Sequence, residues 1–351
     1  MKKLLPAFLF GLTLISCGDE NPLKPDNINT NEINPFNINR KLGRGINLGN
    51  MLEAPVEGEW GYFLKTEYFK IIKDAGFNSI RVPIRWSAHA QKSFPYAIDE
   101  LFFQRIDRVI EDAFANNLMI IINIHNFEEV MSEPDAEKER FLSLWQQISK
   151  RYKNHSNDLL FEILNEPNNN LTPGLWNIFL NDAIRTIRTE DKERTILIGT
   201  ANGGGVFSLK DLILPEDENN LIVTFHYYSP FQFTHQGAEW ISGSDNWLEK
   251  KWTNRADERE AIIQDFNFAF AWSAASGRPI NLGEFGAYSK ADMNSRVLWT
   301  TLVSHLAIFN GFSFQYWEFC AGFGAYDIKA ISWRQPLLDA LIPNMPLVAG
   351  I

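Results

Sequence analysis

The chain of 351 residues is 45% hydrophobic and 22% charged, a composition that is typical of a globular protein with ample apolar material for a core. Its formal net charge of −10 argues against nucleic acid as a partner, because such binding depends on neutralising phosphates with Lys and Arg. The length alone would fit two domains, although barrels commonly fill this range as one domain.

The N-terminus has the features of a targeting segment. Lys2 and Lys3 precede an apolar run from Leu4 to Ile15, which is too short to span a bilayer. The run leads into the letters LISC, which end at Cys17 and resemble the lipobox of bacterial lipoproteins. A lipobox predicts a lipoprotein, and the alternative is an ordinary secretory signal with an incidental cysteine.

These features divide the chain into three predicted parts. We predict a signal peptide over residues 1–16, a lipidated Cys17 followed by a flexible Asn- and Pro-rich tether over residues 17–36, and one main domain over residues 37–351. Cys320 is the second of two cysteines, so lipidation of Cys17 leaves no partner for an intrachain disulfide.

Two acidic residues, Asp19 and Glu20, follow soon after the predicted lipidation site. Acidic residues at this position are seen in surface-exported lipoproteins of some Gram-negative bacteria. We therefore expect the protein at the outer membrane or cell surface, with a periplasm-facing location as the alternative. The lipid on Cys17 would be its only link to the membrane.

From about Leu42 onward, short apolar runs alternate with longer amphipathic stretches. The strand candidates are Gly45–Leu48, Ser79–Val82, Met119–Ile124, Leu159–Leu164, Thr195–Ile198, Leu221–Phe225, Ile280–Gly283 and Phe312–Tyr316. The helix candidates are Thr66–Ala75, Ile98–Asn116, Ala136–Tyr152, Trp176–Glu190, Asp257–Ser276 and Ala291–Asn310. About eight strand-then-helix units predict an α/β fold, a (β/α)₈ TIM barrel that forms a single domain. A doubly wound open sheet is the runner-up.

Two of the predicted strands end in a glutamate. The run LLFEILNEP brings Glu166 to the end of the fourth strand, where Pro167 removes a backbone N–H and is expected to hold Glu166 in an extended conformation. The run RPINLGEFG brings Glu284 to the end of the seventh strand. Because a barrel keeps its chemistry at the carboxyl ends of its strands, these residues form a candidate carboxylate pair.

The other strands also end in polar or aromatic side chains. These strand-end residues are Asn47, Asn50, Glu53, Arg81, Asn123, His125, Asn126, Asn165, His226, Tyr228, His235, Trp240, Trp317 and Glu318. A single residue of this kind is weak evidence, but packing alone does not explain a whole set at one face of a barrel.

Several of these motifs resemble glycoside hydrolase family 5. LLFEILNEP matches the signature of that family, and GEFG fits the motif of its second catalytic carboxylate. The motifs RGINLGN, LEAP, YSPFQFTHQGAEW and YWEFCAGFG occur in the order found in bacterial endoglucanases of broad glucan and mannan specificity. The likeness runs from about Lys41 to Leu341. Many members have two successive histidines after the third strand, where this chain has His125 and Asn126.

The resemblance implies a retaining mechanism with two carboxylates. Glu166 would be the acid/base and Glu284 the nucleophile. Arg81 would support Glu284 by lowering the pKa of its carboxyl group, and Tyr228 would donate to the same carboxylate. The supporting active-site residues are then Arg81, His125, Asn165, His226 and Tyr228. Asn165 would bind the sugar 2-hydroxyl, and the two histidines would bind hydroxyls or orient the glutamates.

The resemblance also implies a set of substrate-binding residues. They are Asn50, Glu53, Asn126, His235, Trp240, Trp317 and Glu318. Trp317 is the expected stacking platform for a sugar ring, and the family often has a cis peptide bond after this Trp, so we expect the Trp317–Glu318 bond to be cis. Trp60, Trp247 and Trp252 are further aromatic candidates, whereas Trp86 is expected to pack in the core.

No histidines or cysteines have the spacing of metal ligands, so neither a metal nor another cofactor is predicted. The sequence predicts a monomeric hydrolase of internal β-1,4 bonds in cellulose-type glucan, an endoglucanase. β-Mannan, xyloglucan and mixed-linkage glucan are alternative substrates. A non-catalytic glycan-binding lipoprotein on a degenerate barrel is the remote alternative, and it is disfavoured because both glutamates, Arg81 and Asn165 are all present.

Overall fold

A computed structural model describes residues 34–343. The predicted signal peptide, the lipidated Cys17 and nearly all of the predicted tether lie outside these described residues. Within the described part of the chain, no helix combines the length and the apolar character that crossing a membrane requires.

Eight parallel strands close into a barrel in chain order, which confirms the predicted (β/α)₈ fold. The strands are β1 (Arg44–Asn47), β2 (Ser79–Val82), β3 (Met119–Asn123), β4 (Leu159–Glu162), β5 (Ile196–Gly199), β6 (Leu221–Tyr227), β7 (Ile280–Phe285) and β8 (Ser313–Tyr316). β8 pairs with β1 through Phe314 opposite Arg44, and this pairing completes the barrel. The strands are buried along nearly their whole length, as expected for a parallel sheet covered by helices.

Helices follow most of the strands and cover the barrel. The longer helices are Thr66–Asp74, Glu100–Ala115, Pro134–Tyr152, Pro173–Glu190, Ala256–Ser276, Met293–Phe309 and Gln335–Leu341. Short helical segments are Trp86–His89, Glu128–Ser132, Val206–Asp211, Phe231–Thr234 and Ser244–Trp247. Ala201–Gly204 is a turn in which Asn202 and Gly203 have positive φ. Between β5 and β6 the described chain has only this turn and the segment Val206–Asp211, which leaves that side of the barrel with the thinnest helical cover.

An N-terminal helix, Pro35–Leu42, closes the end of the barrel where the strands begin. Asn34 caps it by accepting from the Phe36 N–H, and the fixed φ of Pro35 suits the first helical position. Asn39 donates to the Ile280 carbonyl inside the barrel. The folded part therefore includes Pro35 and Phe36, which lie before the domain boundary at residue 37 that the sequence predicts.

After β8 the chain forms a two-stranded antiparallel hairpin, β9 (Tyr326–Asp327) and β10 (Ser332–Trp333). The hairpin packs on the barrel through aromatic rings: Tyr326 stacks on Phe319 with centroids 5.0 Å apart. This element lies beside the loop that follows β1, because β1 and β8 are neighbours in the barrel.

Candidate active site

A cleft of about 590 Å³ opens at the end of the barrel where the strands finish. The predicted residues that line it are Asn50, Glu53, His125, Asn126, Asn165, Glu166, Tyr228, His235, Trp240, Glu284 and Trp317. Arg81 and His226 lie behind this lining, 0% and 6% exposed. The topology thus brings together side chains from loops far apart in the sequence.

The carboxylates of Glu166 and Glu284 face each other across the cleft. One oxygen of each and a ring nitrogen of His226 all lie within 4.8 Å of one another. Glu166 is about one-third exposed, whereas Glu284 is 6% exposed. The two glutamates therefore have different surroundings, which is the usual way for two carboxyl groups to take different roles.

Glu284 is held by donors on both of its oxygens. Arg81 Nη1 donates to Oε1 at 2.7 Å, and the Tyr228 hydroxyl donates to Oε2 at 3.0 Å. Burial nevertheless raises the pKa of Glu284, and the neighbouring Glu166 adds to that rise, while His226 and Arg81 oppose it. The predicted contact between Arg81 and Glu284 is present, and Arg81 lowers the pKa of Glu284 as expected, but desolvation of the carboxylate is the larger effect and the net shift is upward.

Arg81 is fixed by a second carboxylate, that of Glu162. Glu162 accepts from Arg81 Nε at 2.6 Å and from Nη2 at 2.7 Å, a bidentate pair with both side chains almost fully buried. Burial opposes the ionised form of Glu162, but Arg81 outweighs it and lowers the pKa. Glu162 is not among the site residues predicted from the sequence, although a charged residue inside the apolar run LLFEIL is a signal that could have identified it.

Asn165 and Asn47 accept further hydrogen bonds from Arg81. Asn165 Oδ1 accepts from Nη2 at 2.8 Å, and Asn47 Oδ1 accepts from Nη1 at 2.9 Å. With its amide oxygen committed to Arg81, Asn165 has its amide N–H₂ left to donate, and the residue lines the cleft. This orientation suits a donor to a sugar hydroxyl.

His226 contacts Glu166 through Nδ1 and Oε1 at 2.7 Å, and it lies 3.6 Å from Glu284 Oε2. Burial disfavours the charged imidazolium, but the carboxylates of Glu284 and Glu166 outweigh that effect and raise the pKa of His226. His226 thus fixes the position of Glu166 Oε1. Gly204 comes close enough that a Cβ would lie 3.1 Å from the His226 ring, so its positive φ and small size let the loop after β5 approach.

The backbone of Glu166 differs from the predicted conformation. Its φ is +45°, so the prediction of an extended residue before Pro167 is wrong. β4 ends at Glu162, and the next residues continue as an irregular loop in which the Asn165 N–H donates to the Ile124 carbonyl. The left-handed backbone turns the Glu166 side chain toward His226, and it costs about 1–3 kcal/mol that the surrounding contacts must offset.

His125 and Trp317 form a parallel pair above the floor of the cleft, with ring centroids 6.1 Å apart and planes inclined by 7°. Asn123 Nδ2 lies 3.1 Å from His125 Nδ1, which assigns that nitrogen as an acceptor and leaves Nε2–H as the donor. Burial, together with Arg81 and His226, places the pKa of His125 well below its ordinary value. His125 is therefore a neutral donor beside the aromatic platform.

Trp317 lies over Gly49, where a Cβ would approach the indole ring to 2.8 Å. The Trp317–Glu318 peptide bond is cis, which confirms the expectation drawn from the family resemblance. Trp317 lines the cleft at the end of β8, in the position expected of a stacking platform.

Asn50 and Glu53 from the loop after β1 line the cleft together with Asn126 from the loop after β3. Glu53 accepts from the backbone N–H groups of Asn50 and, at 3.0 Å, of Met51, and Asn126 Nδ2 donates to the Glu53 carbonyl at 3.1 Å. Burial raises the pKa of Glu53 to about 7, although those backbone donors oppose the rise.

On the opposite side His235 and Trp240 line the cleft. Burial lowers the pKa of His235 to about 4, which leaves a neutral ring. Trp240 is 60% exposed, so its indole is free to contact a ligand. Among the other predicted aromatic residues, Trp60 lines the cleft, whereas Trp252 is buried and the fully buried Trp86 donates to the Asn123 carbonyl.

Glu318 does not line the cleft, and the prediction that it binds substrate is wrong. Its side chain is fully buried, and its oxygens accept from the backbone N–H groups of Cys320, Ala321 and Phe323 at 2.8–3.1 Å. These contacts explain the difference, because they turn the carboxylate into the loop that follows β8. Burial raises the pKa of Glu318 to about 7.

The sequence analysis also missed Tyr62, Tyr288 and Phe323, which line the cleft. Tyr288 donates to Glu239 at 2.5 Å, and its ring lies edge-on to Trp240 with centroids 5.0 Å apart. Nothing in their local pattern separates these rings from core aromatics, so only the fold reveals their position.

Glu166, His226 and Glu284 are the residues in the described part of the chain that are close enough to hold a metal ion together. The guanidinium of Arg81 already contacts Glu284 and would oppose a second cation there. The donor set therefore fits carboxylate chemistry better than metal binding.

Comparison with known proteins supplies the family. Residues 41–322 match the model of the family described as "Cellulase (glycosyl hydrolase family 5)". The chain belongs to glycoside hydrolase family 5. The match spans all eight strands and both candidate glutamates.

Solved structures and curated proteins of known name agree with this family. Cel5A from Thermotoga maritima, an endoglucanase, is 52% identical, with a TM-score of 0.87 over 88% of this chain and 100% of that one. Endoglucanase H of Acetivibrio thermocellus is 33% identical over 311 residues. The chain spans 33% of the length of Endoglucanase H and 40% of that of Cellulase/esterase CelE from the same organism.

Proposed function

We propose that this glycoside hydrolase family 5 member cleaves internal β-1,4 linkages of cellulose-type glucan and retains the anomeric configuration. The spacing of Glu166 and Glu284 is the observation that carries the proposal. Retaining glycosidases place their carboxyl groups about 5–5.5 Å apart, whereas inverting enzymes need about 6.5–9.5 Å to admit a water molecule. Oxygens within 4.8 Å fit the retaining arrangement.

In the first step Glu284 attacks the anomeric carbon while Glu166 gives its proton to the glycosidic oxygen. The bond to the leaving sugar breaks, and a glycosyl ester forms on Glu284. Arg81 and Tyr228 hold the Glu284 carboxylate in place by one contact to each oxygen. His226 fixes one oxygen of Glu166, which leaves the other for the leaving group.

In the second step Glu166 removes a proton from water, which attacks the anomeric carbon and releases Glu284. Asn165 would donate to the sugar 2-hydroxyl, a contact that strengthens as the ring approaches an oxocarbenium ion. Trp317 would stack on the apolar face of the same ring, and the neutral His125 would donate from Nε2 to a hydroxyl beside it.

The experiment is to measure products released from carboxymethylcellulose, β-mannan and xyloglucan by the protein and by its Glu284→Gln variant. We expect activity on carboxymethylcellulose that the variant lacks, and a β anomer as the first product seen by proton NMR. An α anomer as the first product would contradict retention. No activity on any of the three glycans from folded protein would favour the binding-only alternative.

β-Mannan is the second candidate substrate, and one observation favours it. The Cel5A of Thermotoga maritima has been solved with mannotriose as well as with cellobiose. Mannose differs from glucose in the orientation of the 2-hydroxyl, which Asn165 would contact here. A higher kcat/KM on β-mannan than on carboxymethylcellulose would keep the mechanism and change the preferred substrate.

We also propose that the protein is a monomer anchored through a lipid on Cys17 at the outer membrane or cell surface. The support is the sequence pattern of residues 1–20. Lipid labelling of the protein produced in a Gram-negative host should be lost in Cys17→Ala and kept in Cys320→Ala, the matched control. Protease treatment of intact cells then distinguishes a surface location from a periplasm-facing one. Light scattering measures the oligomeric state.

A further inference from the structure

A second concavity, of about 320 Å³, opens beside the cleft. We call it the side groove and define it by six of its lining residues: Tyr62, Phe63, Tyr68, Tyr326, Ile328 and Ile331. Its volume lies at the lower end of the range for small-molecule sites, and its lining is mostly aromatic and aliphatic, as in such sites. Tyr62 also lines the cleft, so the two concavities are adjacent and share this residue.

The loop after β1 presents aromatic side chains to both concavities. Trp60 faces the cleft, Tyr62 lies between the two, and Phe63 faces the side groove. Phe63 is 57% exposed, yet its ring is held against Gly58, where a Cβ would approach the ring to 2.2 Å. Phe63 is therefore a fixed aromatic surface that is open to solvent.

The opposite wall comes from the tip of the β9–β10 hairpin. Asp327 shapes this tip by accepting from the backbone N–H groups of Lys329 and Ala330. Ile331 has a φ of +53°, a conformation that β-branched residues rarely adopt, and its side chain is 76% exposed. A strained backbone that keeps an apolar side chain in solvent is a reason to look for a ligand there.

The charges at the edge of the side groove balance. Lys65 Nζ lies 3.8 Å from Glu67 Oε1, and both residues line the side groove. The surface thus offers a neutral ligand aromatic and aliphatic faces, and its lining includes two residues that bear a hydroxyl group, Tyr62 and Tyr68. A glucan chain has matching chemistry, because each pyranose ring has apolar C–H faces and a rim of hydroxyl groups.

We propose that the side groove is a distal subsite that binds the β-1,4-glucan chain where it leaves the cleft over Tyr62. The proposal rests on the function proposed above, since it takes its ligand from the cleft. The shared position of Tyr62 at the edge of both concavities favours this occupant over an unrelated partner. A long substrate would then contact Phe63 and Ile331, whereas a substrate that fills only the cleft would not.

The test compares Phe63→Ala and Ile331→Ser, which change separate walls, with Phe309→Ala. Phe309 is 80% exposed and precedes β8, at the opposite end of the barrel, so it is the matched control. On carboxymethylcellulose each groove variant should raise KM roughly threefold to tenfold at unchanged kcat. On an aryl cellobioside neither parameter should change, and the control should match the unchanged protein on both substrates.

Unchanged KM on the polymer in both variants would overturn the side groove as a subsite and leave the proposed function standing. Equal losses on polymer and aryl cellobioside would also overturn it, because the variants would then act through the cleft. If the unchanged protein is inactive on every β-glucan, the proposed function fails instead. In that case the groove can still be tested by electrophoresis in gels that contain carboxymethylcellulose, where binding slows the migration of the protein. Both groove variants should be slowed less than the unchanged protein. Equal retardation of all three proteins, or no retardation of any, would overturn the subsite.

Discussion

Arg81 Nη1 donates to Glu284 Oε1 at 2.7 Å, and the other edge of the same guanidinium is held by the buried Glu162. One cation therefore serves two carboxylates in a site from which water is largely excluded. Because Glu162 fixes the plane of the guanidinium, Arg81 presents Nη1 to Glu284 in a single orientation. The pair positions the proposed nucleophile rather than merely neutralising it.

The first prediction concerns Arg81→Lys. Lysine keeps the positive charge but not the planar fork, so it cannot serve Glu162 and Glu284 with the same geometry. We expect kcat/KM to fall by about 10²–10³, as when one preorganised donor is lost, and the free energy of unfolding to fall by about 1–3 kcal/mol, since buried carboxylate oxygens lose hydrogen-bond donors. Initial rates and urea unfolding measure the two effects.

Arg194→Lys is the matched control for this substitution. Arg194 is also buried and pairs with Asp191 at 2.9 Å, but it does not line the cleft. It should lose stability without a comparable loss of kcat/KM in the folded protein. Equal kinetic losses in the two variants would contradict a specific role for Arg81.

The second prediction separates the two glutamates. Glu166→Ala should lose activity on carboxymethylcellulose by about 10²–10⁴, the usual worth of general acid catalysis, but keep more of it on an aryl glycoside whose leaving group needs no proton. Added azide should restore turnover and give a β-glycosyl azide. Glu284→Ala with azide should instead give the α product, because azide then attacks in place of the carboxylate.

Product NMR distinguishes these outcomes. The same azide anomer from both variants would contradict the assignment of roles. Equal loss of Glu166→Ala activity on polymer and aryl glycoside would argue that Glu166 is not the proton donor.

Much of the fold could be predicted from the sequence, because each element has its own local signal. Apolar runs separated by amphipathic stretches predict strands and helices in alternation, and closure of the barrel follows from their number. The paired glutamates could also be predicted, since Glu166 and Glu284 each end an apolar run. What these residues share is a pattern that is visible within about ten positions.

The remaining features depend on packing between distant segments. Glu318 has the same kind of sequence context as the cleft residues, yet the loop after β8 folds so that three backbone donors take its carboxylate. The left-handed φ of Glu166 likewise could not be predicted from Pro167, because it accompanies a contact with His226 from a distant strand. The rise in the pKa of Glu284 depends on how deeply the cleft buries it.

The third prediction concerns the acid limb of the pH profile. Burial raises the pKa of Glu284, and attack requires its ionised form, so kcat/KM should fall as the pH drops through a value above the ordinary 4.5. Tyr228→Phe removes a donor to the ionised form and should move this limb upward by about one pH unit. Tyr227→Phe, which removes a hydroxyl bonded to Asp265, should leave the limb in place.

Profiles of kcat/KM for the three proteins decide this point. A limb that does not move in Tyr228→Phe would mean that the hydroxyl does not stabilise the anion. A downward movement would reverse the proposed sign of the contact.

The last prediction concerns Glu318, which we regard as a positioning residue of the cleft wall. Its carboxylate accepts from three backbone N–H groups in a loop whose residues Ala321 and Phe323 line the cleft. Glu318→Ala would leave those donors without a partner and should lower the free energy of unfolding by about 1–3 kcal/mol. It should also raise KM more than it lowers kcat, because the carboxylates are held by other elements. Urea unfolding and initial rates test both parts, and a loss confined to kcat would contradict the positioning role.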